Sequence, residues 1–399
     1  MTLETLTDAP SSLKPRDEQL SRIADAIAPP PNPKTGIAAS LPPRQPLPAP
    51  VIDPAKPMIK LGLDVHLLFI MAVAQRGHAT PMPPRQFSPA ALCQQIQRWV
   101  REGLQVFCVQ ESCGFGFGLH RQLVEAGAQS FLITPLSLTG RRKTDKVDAR
   151  ALCQRLSRFL EGDDKEVCPI RIPSHPEQQR REGPRRRRFL KSLLRSVANR
   201  GHGLAAEFLH LPLPRGWWGP RKWKQLSARF DPWLVSVLES LRAIIVNIEQ
   251  QIAQLDAELV QRVKDQAIPK GLGQLSLVML DAEICDWERF FNRKQVGSYT
   301  GCCPSEYSSG GKRRLGSIDR MGNVHVRTML LEAVWRLLKW QPGWKAAQKM
   351  KRRLQEGAAV RKKTAIALAR LLAIDLWRWR TGRCTMAELG WIAATNEQP

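Results

Sequence analysis

Residues 59–66 read IKLGLDVH, a largely apolar run that ends in an acid and a histidine. Short apolar runs bounded by polar or turn residues are typical of buried β-strands. A second apolar run covers residues 67–74, a turn follows at residues 76–78, and residues 85–87 form a weaker third strand. We therefore predict that the folded part of the chain starts with three strands in an antiparallel meander.

The segment after this meander alternates helices and strands. Ser88 and Pro89 combine an N-cap with proline at the first helical position, which predicts a helix to about Glu102. The pattern then predicts a strand at 104–109, a helix at 118–125, a strand at 129–134 and a helix at 144–160. The predicted order is therefore β-β-β-α-β-α-β-α, the order of a ribonuclease-H-like α/β domain.

Four acidic residues stand at the ends of these predicted elements: Asp64, Glu111, Asp145 and Asp148. In a ribonuclease-H-like sheet the first and fourth strands are neighbours, so Asp64 and Glu111 are expected to lie side by side. The three-residue spacing of Asp145 and Asp148 places both on one face of the last helix. Carboxylates grouped in this way suit Mg²⁺ or Mn²⁺, and two such ions can stabilise the attacking and leaving oxygens of a phosphodiester.

Each acid also has an ordinary structural interpretation. Asp64 could close a strand, Glu111 could cap the following helix, and Asp145 with Asp148 could be a first-turn pair stabilised by the helix dipole. Because all four stand at the expected ends of elements, we interpret them together as a metal site. We interpret His66 as a structural residue or a substrate contact outside the metal shell.

The charge of the chain indicates a polyanionic partner. Lysine and arginine number 61 against 36 acidic residues, which gives a net charge of +25. Hydrophobic residues make up 43% of the chain, which argues against a disordered basic tail.

We find no leader sequence and no charge-free window of about eighteen residues, so we expect a cytoplasmic protein without a membrane span. The nine cysteines include no C-x-x-C pair, which argues against a finger-type or ribbon-type zinc site.

The segments outside the α/β pattern differ in composition. Residues 1–57 hold 13 of the 30 prolines, which predicts a disordered, extended arm. Residues 166–232 form a basic linker region that contains several tryptophans. Apolar residues then recur at spacings of four and three from Leu234 to Leu259, which predicts a coiled coil over residues 233–265. Such a seam needs a partner helix from this chain or from a second copy, and we favour self-association.

The C-terminal part, residues 266–385, is helical by pattern and is followed by a tail at residues 386–399. It is interrupted by a Gly/Ser-rich stretch at residues 301–322. The first part of this stretch, GCCPSEYSSGGKRR at residues 301–314, places hydroxyl groups next to three consecutive cations. A nucleophile beside phosphate-binding charge is one interpretation. The alternative is that the serines cap turns or contact backbone phosphates.

Several of these segments together resemble the DEDD-type insertion-sequence transposases, a family that includes Piv-like DNA invertases and recombinases guided by a bridge RNA. The resemblance spans roughly residues 59–382. It is carried by LGLDVH at 61–66, QES at 110–112, KTDKVDAR at 143–150 and PSEYSSGGKRR at 304–314, with Gly322-Asn323 and Val326-Arg327 downstream.

The resemblance implies a RuvC-like DEDD domain at residues 58–165, a coiled-coil linker and a mostly helical transposase domain. The catalytic, metal-binding tetrad would be Asp64, Glu111, Asp145 and Asp148. The catalytic serine would be Ser309, with Ser305 and Ser308 as alternatives, and it would attack DNA to form a phosphoserine in a site shared by both domains. Basic and amide side chains would bind nucleic acid: Arg141, Arg142, Lys143, Lys312, Arg313, Arg314, Asn323 and Arg327.

The sequence therefore predicts a DNA transposase or site-specific serine recombinase that uses Mg²⁺ or Mn²⁺. Its expected partners are DNA, a bridge-type guide RNA and further copies of itself in a dimer or tetramer, in the nucleoid of a prokaryotic cytoplasm. Two alternatives remain open. One is a RuvC-like, structure-specific nuclease in which water attacks and the serine loop only holds DNA; the other is a catalytically inactive, nucleic-acid-binding copy.

Overall fold

A computed structural model describes residues 50–135, 144–263, 266–308, 311–312 and 314–394. Within these ranges the chain divides after Ser174 into two compact units. The predicted arm lies outside the described residues except for its last part, residues 50–57. Among the helices of the described ranges, none is both long and apolar enough to cross a membrane.

The N-terminal unit is built on a five-stranded mixed sheet. Its strands are β1 (Met58–Val65), β2 (Ile70–Arg76), β3 (Arg85–Phe87), β4 (Gln105–Glu111) and β5 (Ala128–Ile133). They lie in the order β3-β2-β1-β4-β5, with the first three antiparallel and β1, β4 and β5 parallel. The predicted meander and the predicted neighbourhood of the first and fourth strands are confirmed. This arrangement is compatible with a ribonuclease-H-like fold.

Three helices cover the two faces of this sheet: α1 (Pro89–Arg101), α2 (Gly118–Glu125) and α3 (Asp145–Leu160). On one face, Leu61 of β1 packs with Leu92 of α1 and Leu123 of α2. On the other face, Phe107 of β4 packs with Leu152 of α3. Because side chains alternate along a strand, α3 covers the face on which the even-numbered residues of β1 lie.

Residues 50–57, the end of the predicted disordered arm, pack against the sheet instead. The Val51 amide donates to Gln129 Oε1 at 2.8 Å, and the Asp53 amide donates to Gln105 Oε1 at 2.8 Å. Both glutamine side chains donate back to the carbonyl oxygens of the same two residues. The folded unit therefore begins before Met58, because side-chain amides of β4 and β5 satisfy the backbone of this segment.

The second unit begins with a helical hairpin. Its helices are α4 (His175–Leu209), α5 (Pro220–Ser227) and α6 (Pro232–Gln261). Leu190 of α4 packs with Ile248 and Ile252 of α6, whereas Ala198 of α4 packs with Leu238. Later residues of α4 thus meet earlier residues of α6, so the two long helices run antiparallel.

The predicted apolar seam is present, but its partner helix lies in the same chain. Its buried residues in α6 are Leu234, Leu238, Ile245, Ile248, Ile252, Leu255 and Leu259. Because α4 already covers this face, the seam no longer supports our expectation of self-association. The helix pair is an intramolecular hairpin rather than a free coiled-coil linker, and residues 264–265 of the predicted coil lie outside the described ranges.

The segment at residues 166–232, for which the sequence predicts only a basic linker region, is largely helical. Gly183 and Pro184 argue locally against a helix, because glycine is flexible and proline lacks an amide donor. In α4 Pro184 is buried, and a Cβ on Gly183 would lie 3.2 Å from Leu259. A Cβ on Gly201 would lie 2.3 Å from the ring of Trp217, so glycine is needed there for close approach. Tertiary packing thus holds a helix that the local sequence disfavours.

The rest of this unit is a helical bundle. Its helices are α7 (Gln274–Ile284), α8 (Arg293–Tyr299), α9 (Val324–Trp340), α10 (Lys345–Lys349), α11 (Lys351–Leu354), α12 (Ala358–Arg380) and α13 (Met386–Leu389). Leu330 of α9 and Leu368 of α12 lie in its core. The predicted tail also belongs to the bundle as far as residue 394, because Trp391 is buried and the Lys270 amide donates to the Ile392 carbonyl at 2.8 Å.

Candidate active site

Asp64 lies on the face of the sheet that α3 covers. A Cβ on Gly62, two residues earlier, would lie 2.2 Å from the Cys153 amide nitrogen of α3. Lys60 Nζ donates to Ser157 Oγ at 2.7 Å, so later residues of β1 meet earlier residues of α3. Since alternate residues of a strand share a face, Asp64 reaches the first turn of α3.

Asp145 and Asp148 stand in that first turn, as predicted. Thr144 is the N-cap, and its hydroxyl accepts a hydrogen bond from the Val147 amide at 3.4 Å. The partial positive charge of a helix N-terminus stabilises carboxylates in the first turn. The cap therefore sets where α3 begins and places both acids at the end of the helix that lies nearest Asp64.

Three side chains that can bind a metal ion come together here: Asp64, His66 and Asp145. One ligand atom of each lies within 4.8 Å of the other two. His66 Nε2 is 3.2 Å from Asp145 Oδ2 and 3.5 Å from Asp64 Oδ2. Phe69 stacks on the imidazole, with 4.4 Å between the ring centroids.

The position of His66 differs from the sequence interpretation, which left it outside the metal shell. The available signal was its place two residues after Asp64, because such residues share one face of an extended chain. His66 is therefore a candidate ligand in its own right.

The electrostatics of the cluster favour a bound cation. Burial raises the pKa of Asp64, the His66 imidazole lowers it, and the negative charges of Asp145 and Asp148 raise it again, with a net upward shift. Like charges held this close repel each other unless a cation neutralises them. Carboxylate oxygens suit Mg²⁺ and Mn²⁺, and an imidazole nitrogen is a common ligand of transition metals. The donor set therefore fits a divalent metal ion.

Glu111 lies next to this cluster in the sheet. It follows Gln110 of β4, which pairs with Leu63 of β1. Val109 packs on the α3 side of the sheet, so alternation places Glu111 on the same face as Asp64. The predicted convergence of the ends of the first and fourth strands is thus present.

A cleft of about 80 Å³ adjoins the cluster, and both Glu111 and His66 line it. Its other walls include the apolar side chains of Leu67 and Phe115. Glu111 and Asp148 are not members of the three-residue group. Their role as metal ligands therefore stays a prediction.

The predicted serine loop connects the strands of a hairpin, β6 (Pro304–Glu306) and β7 (Leu315–Ile318), which we call the serine hairpin. The Ser305 hydroxyl donates to the Ser317 carbonyl at 3.0 Å. The Ser308 hydroxyl donates to Glu306 Oε1 at 2.6 Å and accepts from the Arg314 amide at 3.2 Å. Both hydroxyls thus have hydrogen-bond partners inside the hairpin.

Several predicted site residues lie outside the described residues: Arg141, Arg142, Lys143, Ser309 and Arg313. Their predicted roles stay predictions. Lys312 and Arg314, on either side of Arg313, are exposed. The exposed cations next to the serines agree with a loop that faces a polyanion.

Asn323 and Arg327, two predicted nucleic-acid contacts, have partners within the protein. Asn323 is the N-cap of α9, where its Oδ1 accepts from the His325 amide at 2.9 Å, and its Nδ2 donates to the Tyr299 hydroxyl at 3.0 Å. Arg327 Nη1 donates to the Thr300 carbonyl at 3.1 Å. Each side chain therefore has a structural role, and a nucleic-acid contact by either stays a prediction.

Sequence reasoning missed a fully buried acid, Glu283 of α7, which is 0% exposed. Its carboxylate accepts two hydrogen bonds from Arg185, at 2.8 and 3.0 Å, and one from Asn323 at 3.0 Å. Burial raises the pKa of Glu283, but the hydrogen bonds from Arg185 and Asn323 outweigh it and leave that pKa below its ordinary value. The only signal in the sequence was an acid within the apolar run LSLVMLDAEI at residues 275–284.

Comparison with known proteins finds similarity to transposases. Residues 268–349 match the model of the transposase IS116/IS110/IS902 family. The chain is 27% identical over 301 residues to the putative transposase y4rJ of Sinorhizobium fredii, an alignment that covers 68% of this chain and 76% of that protein. The chain is thus similar to transposases, and over residues 268–349 to this family.

Two further relatives are named after insertion sequence elements. The chain is 28% identical over 260 residues to the transposase for insertion sequence element IS1111A of Coxiella burnetii, covering 59% of this chain and 67% of that protein. It is 26% identical over 237 residues to the transposase for insertion sequence element IS1328 of Yersinia enterocolitica, covering 56% and 68%.

The segment that matches the IS116/IS110/IS902 family model runs from the turn before α7 to the end of α10. It contains Glu283, the serine hairpin and Asn323. The acidic cluster lies N-terminal to it. The metal-binding interpretation of that cluster therefore rests on its own geometry.

Proposed function

We propose that this chain is the transposase of an insertion sequence, an enzyme that cuts and rejoins DNA strands with a metal-dependent acidic site and a serine nucleophile. The observation that carries the proposal is the convergence of Asp64, His66 and Asp145 in a chain that is similar to transposases. A strongly basic chain adds support, because a net charge of +25 favours a polyanionic substrate.

The acidic site would hold Mg²⁺ or Mn²⁺ through Asp64 and Asp145, with His66 as a further ligand and Glu111 and Asp148 at its edge. The ion supplies positive charge that offsets the negative charge of the scissile phosphate. The chain's own part is to hold the carboxylates on rigid elements, the end of β1 and the first turn of α3. Rigid placement matters because catalytic groups must stay near their productive geometry.

The nucleophile would be Ser309. Its Oγ forms a bond to phosphorus, the bond from phosphorus to one sugar oxygen breaks, the serine proton leaves to solvent and the departing sugar oxygen takes up a proton. A DNA hydroxyl then attacks the phosphoserine and restores the free serine. We choose Ser309 because it stands directly before Gly310, the Ser-Gly position that the resemblance implies for the nucleophile.

A trapping experiment tests the nucleophile. The protein is incubated with its element's DNA ends and Mg²⁺, denatured, and examined for a covalent protein–DNA adduct. We expect an adduct with the native chain and with Ser305→Ala, and none with Ser309→Ala. An adduct that persists in Ser309→Ala and disappears in Ser308→Ala would move the nucleophile to Ser308. Cleavage without any adduct, unchanged in Ser309→Ala, would support the hydrolytic nuclease instead.

Nucleic-acid binding would use the side chains that flank both sites: Arg141, Arg142, Lys143, Lys312, Arg313, Arg314, Asn323 and Arg327. We also propose that a bridge-type guide RNA selects the DNA and that a dimer or tetramer is the active form. Purification without nuclease treatment, followed by RNA sequencing and mass photometry, tests both ideas. A monomer with no enriched RNA, still active on DNA, would refute them.

A further inference from the structure

Glu283 is the centre of a buried network in the helical unit. Its carboxylate binds Arg185 of α4 and Asn323 at the start of α9. Its carbonyl oxygen accepts from Arg181 Nη2 and from the Tyr299 hydroxyl, both at 2.9 Å. One residue of α7 thus joins α4, α8 and α9 through hydrogen bonds.

The two ends of the serine hairpin meet next to this network. A Cβ on Gly322 would lie 2.2 Å from the Gly301 amide nitrogen, so the chain entering the hairpin touches the chain leaving it. The Asn323 amide donates to the Tyr299 carbonyl at 2.8 Å. Arg327 Nη1, which donates to the Thr300 carbonyl, also lies against Gly301. The base of the hairpin is therefore closed by contacts from Asn323 and Arg327.

Helix α4 supplies the other side of the network. Arg181, Arg185 and Arg188 are spaced by four and three residues, which places them on one face of the helix. The first two bind Glu283, and Arg188 Nη1 lies 3.1 Å from His325 Nδ1 in the first turn of α9. Part of the basic run at residues 185–188 thus serves contacts inside the protein rather than a polyanion.

We propose that Glu283 is a positioning residue, which fixes the base of the serine hairpin against α4 through Asn323 and Arg185. It cannot touch DNA itself, because its side chain is only 1% exposed. Its effect on chemistry would pass through the hairpin that carries Ser309. The part of the proposal that concerns reaction rate rests on the proposed serine mechanism, whereas the part that concerns the hairpin's position does not.

The same helix offers a matched control. Asp281 of α7 also binds an arginine, with its Oδ2 2.7 Å from Arg380 Nη2, and it accepts from Trp287 Nε1 at 2.7 Å. Neither partner belongs to the serine hairpin or its base. Asp281→Asn therefore weakens a comparable ion pair without touching the network around Glu283.

The test compares hydrogen exchange in Glu283→Gln and Asp281→Asn, in the full chain and under conditions where both remain folded. The Asp319 amide donates to the Cys303 carbonyl at 2.8 Å, also at the hairpin base. We expect the amides of Asp319 and Asn323 to exchange about tenfold faster in Glu283→Gln and at the native rate in Asp281→Asn. Equal exchange in both variants would overturn the proposal. Asn323→Ser serves as a second variant, because serine can still cap α9 but cannot reach Glu283.

Adduct formation gives a second readout. At saturating DNA, Glu283→Gln should form the Ser309 adduct about tenfold more slowly while its Kd for DNA stays native, since the residue is buried. Native adduct formation in Glu283→Gln would overturn the part of the proposal that concerns reaction rate. If the native chain forms no Ser309 adduct but the hairpin exchange still depends on Glu283, the serine mechanism fails and the positioning role stands.

Discussion

Gly62 in β1 lies against the backbone of Cys153 in α3, so closely that a Cβ on Gly62 would come within 2.2 Å of the Cys153 amide nitrogen. This contact sets the distance between the sheet and the helix two residues before Asp64. Because α3 begins at Asp145, the same contact determines how near the carboxylates of strand and helix come to each other. The acidic cluster thus depends on a residue without a side chain.

Gly62→Ala should destabilise the N-terminal unit, because the neighbouring atoms are backbone and cannot rotate away. Overpacking of this kind costs about 1–3 kcal/mol or more. Chemical unfolding followed by circular dichroism measures the loss. Gly118→Ala is the control, since a Cβ there meets no atom within 4 Å. Equal stability of the two variants would contradict the close packing of α3 on β1.

Asp64→Asn should raise the melting temperature of the metal-free protein. The folded state raises the pKa of Asp64, chiefly through burial, so it binds protons more tightly than the unfolded state does. Stability therefore falls as the pH rises through that pKa, and removing the charge relieves this penalty at neutral pH.

The same variant should lose the further stabilisation that Mg²⁺ or Mn²⁺ gives to the native chain. Thermal scans with and without the ion measure both effects. Glu102→Gln, at an exposed acid that follows α1, should respond to the ion as the native chain does. A native metal response in Asp64→Asn would count against the proposed metal site.

Glu283 should make the helical unit sensitive to acid. Burial raises the Glu283 pKa, but hydrogen bonds from Arg185 and Asn323 outweigh burial and leave it below the ordinary 4.5. A lowered pKa gives stability that is fully present above the ordinary value and is lost as the pH falls through the folded-state value. The stability difference between the native chain and Glu283→Gln should therefore shrink below about pH 4.5, in urea titrations between about pH 6 and pH 3. A difference that grows on acidification would contradict this.

Ile245 and Ile244 of α6 provide a matched pair for the intramolecular seam. Ile245 is 0% exposed and Ile244 is 47% exposed. Ile245→Ala should lower the free energy of unfolding by about 2–5 kcal/mol, whereas Ile244→Ala should change it by less than about 0.5 kcal/mol. Because α4 covers the seam, neither variant should alter the oligomeric state measured by mass photometry. Dissociation of an oligomer by Ile245→Ala alone would show that the seam also serves a second copy.

Arg186 and Arg187 are neighbours in one basic run, and comparing them distinguishes an arginine that binds DNA from one that stabilises the fold. Arg187 forms an ion pair with Asp256 of α6, with Nη2 3.0 Å from Oδ2, whereas Arg186 is exposed. Log affinity for DNA falls as log salt rises, and Arg186→Gln should make this slope shallower by about 1. Arg187→Gln should instead destabilise the helical hairpin of α4 and α6 and leave the salt dependence of DNA affinity unchanged. The opposite pattern would show that Arg187 is the phosphate contact.

The strands and helices around the acidic cluster could be predicted because each carries its own local signal. The run at residues 59–65 is largely apolar, Ser88-Pro89 starts a helix, and Thr144 caps the helix that bears Asp145. These signals act over a few residues. The order of the elements followed from them, and the convergence of strand ends followed from the order.

The partners of these elements could not be predicted in the same way. The heptad pattern of α6 indicates that a helix packs on it but is silent on which helix does so. The sequence did not predict α4, because Gly183 and Pro184 disfavour a helix locally. Packing against Leu259, rather than local preference, stabilises α4 there. Glu283 was missed because its importance lies in Arg185 and Asn323, which are distant in the chain.

The antiparallel pairing of α4 with α6 decides how this protein can be divided for biochemical work. A fragment starting after Leu209 lacks α4, so the apolar seam of α6 would be exposed to solvent. Such truncated chains would associate through the exposed seam. Any assembly seen with such a fragment would be an artefact of the cut. A fragment starting at His175 keeps α4, which covers the apolar seam, and is the one suited to separate study of the C-terminal half.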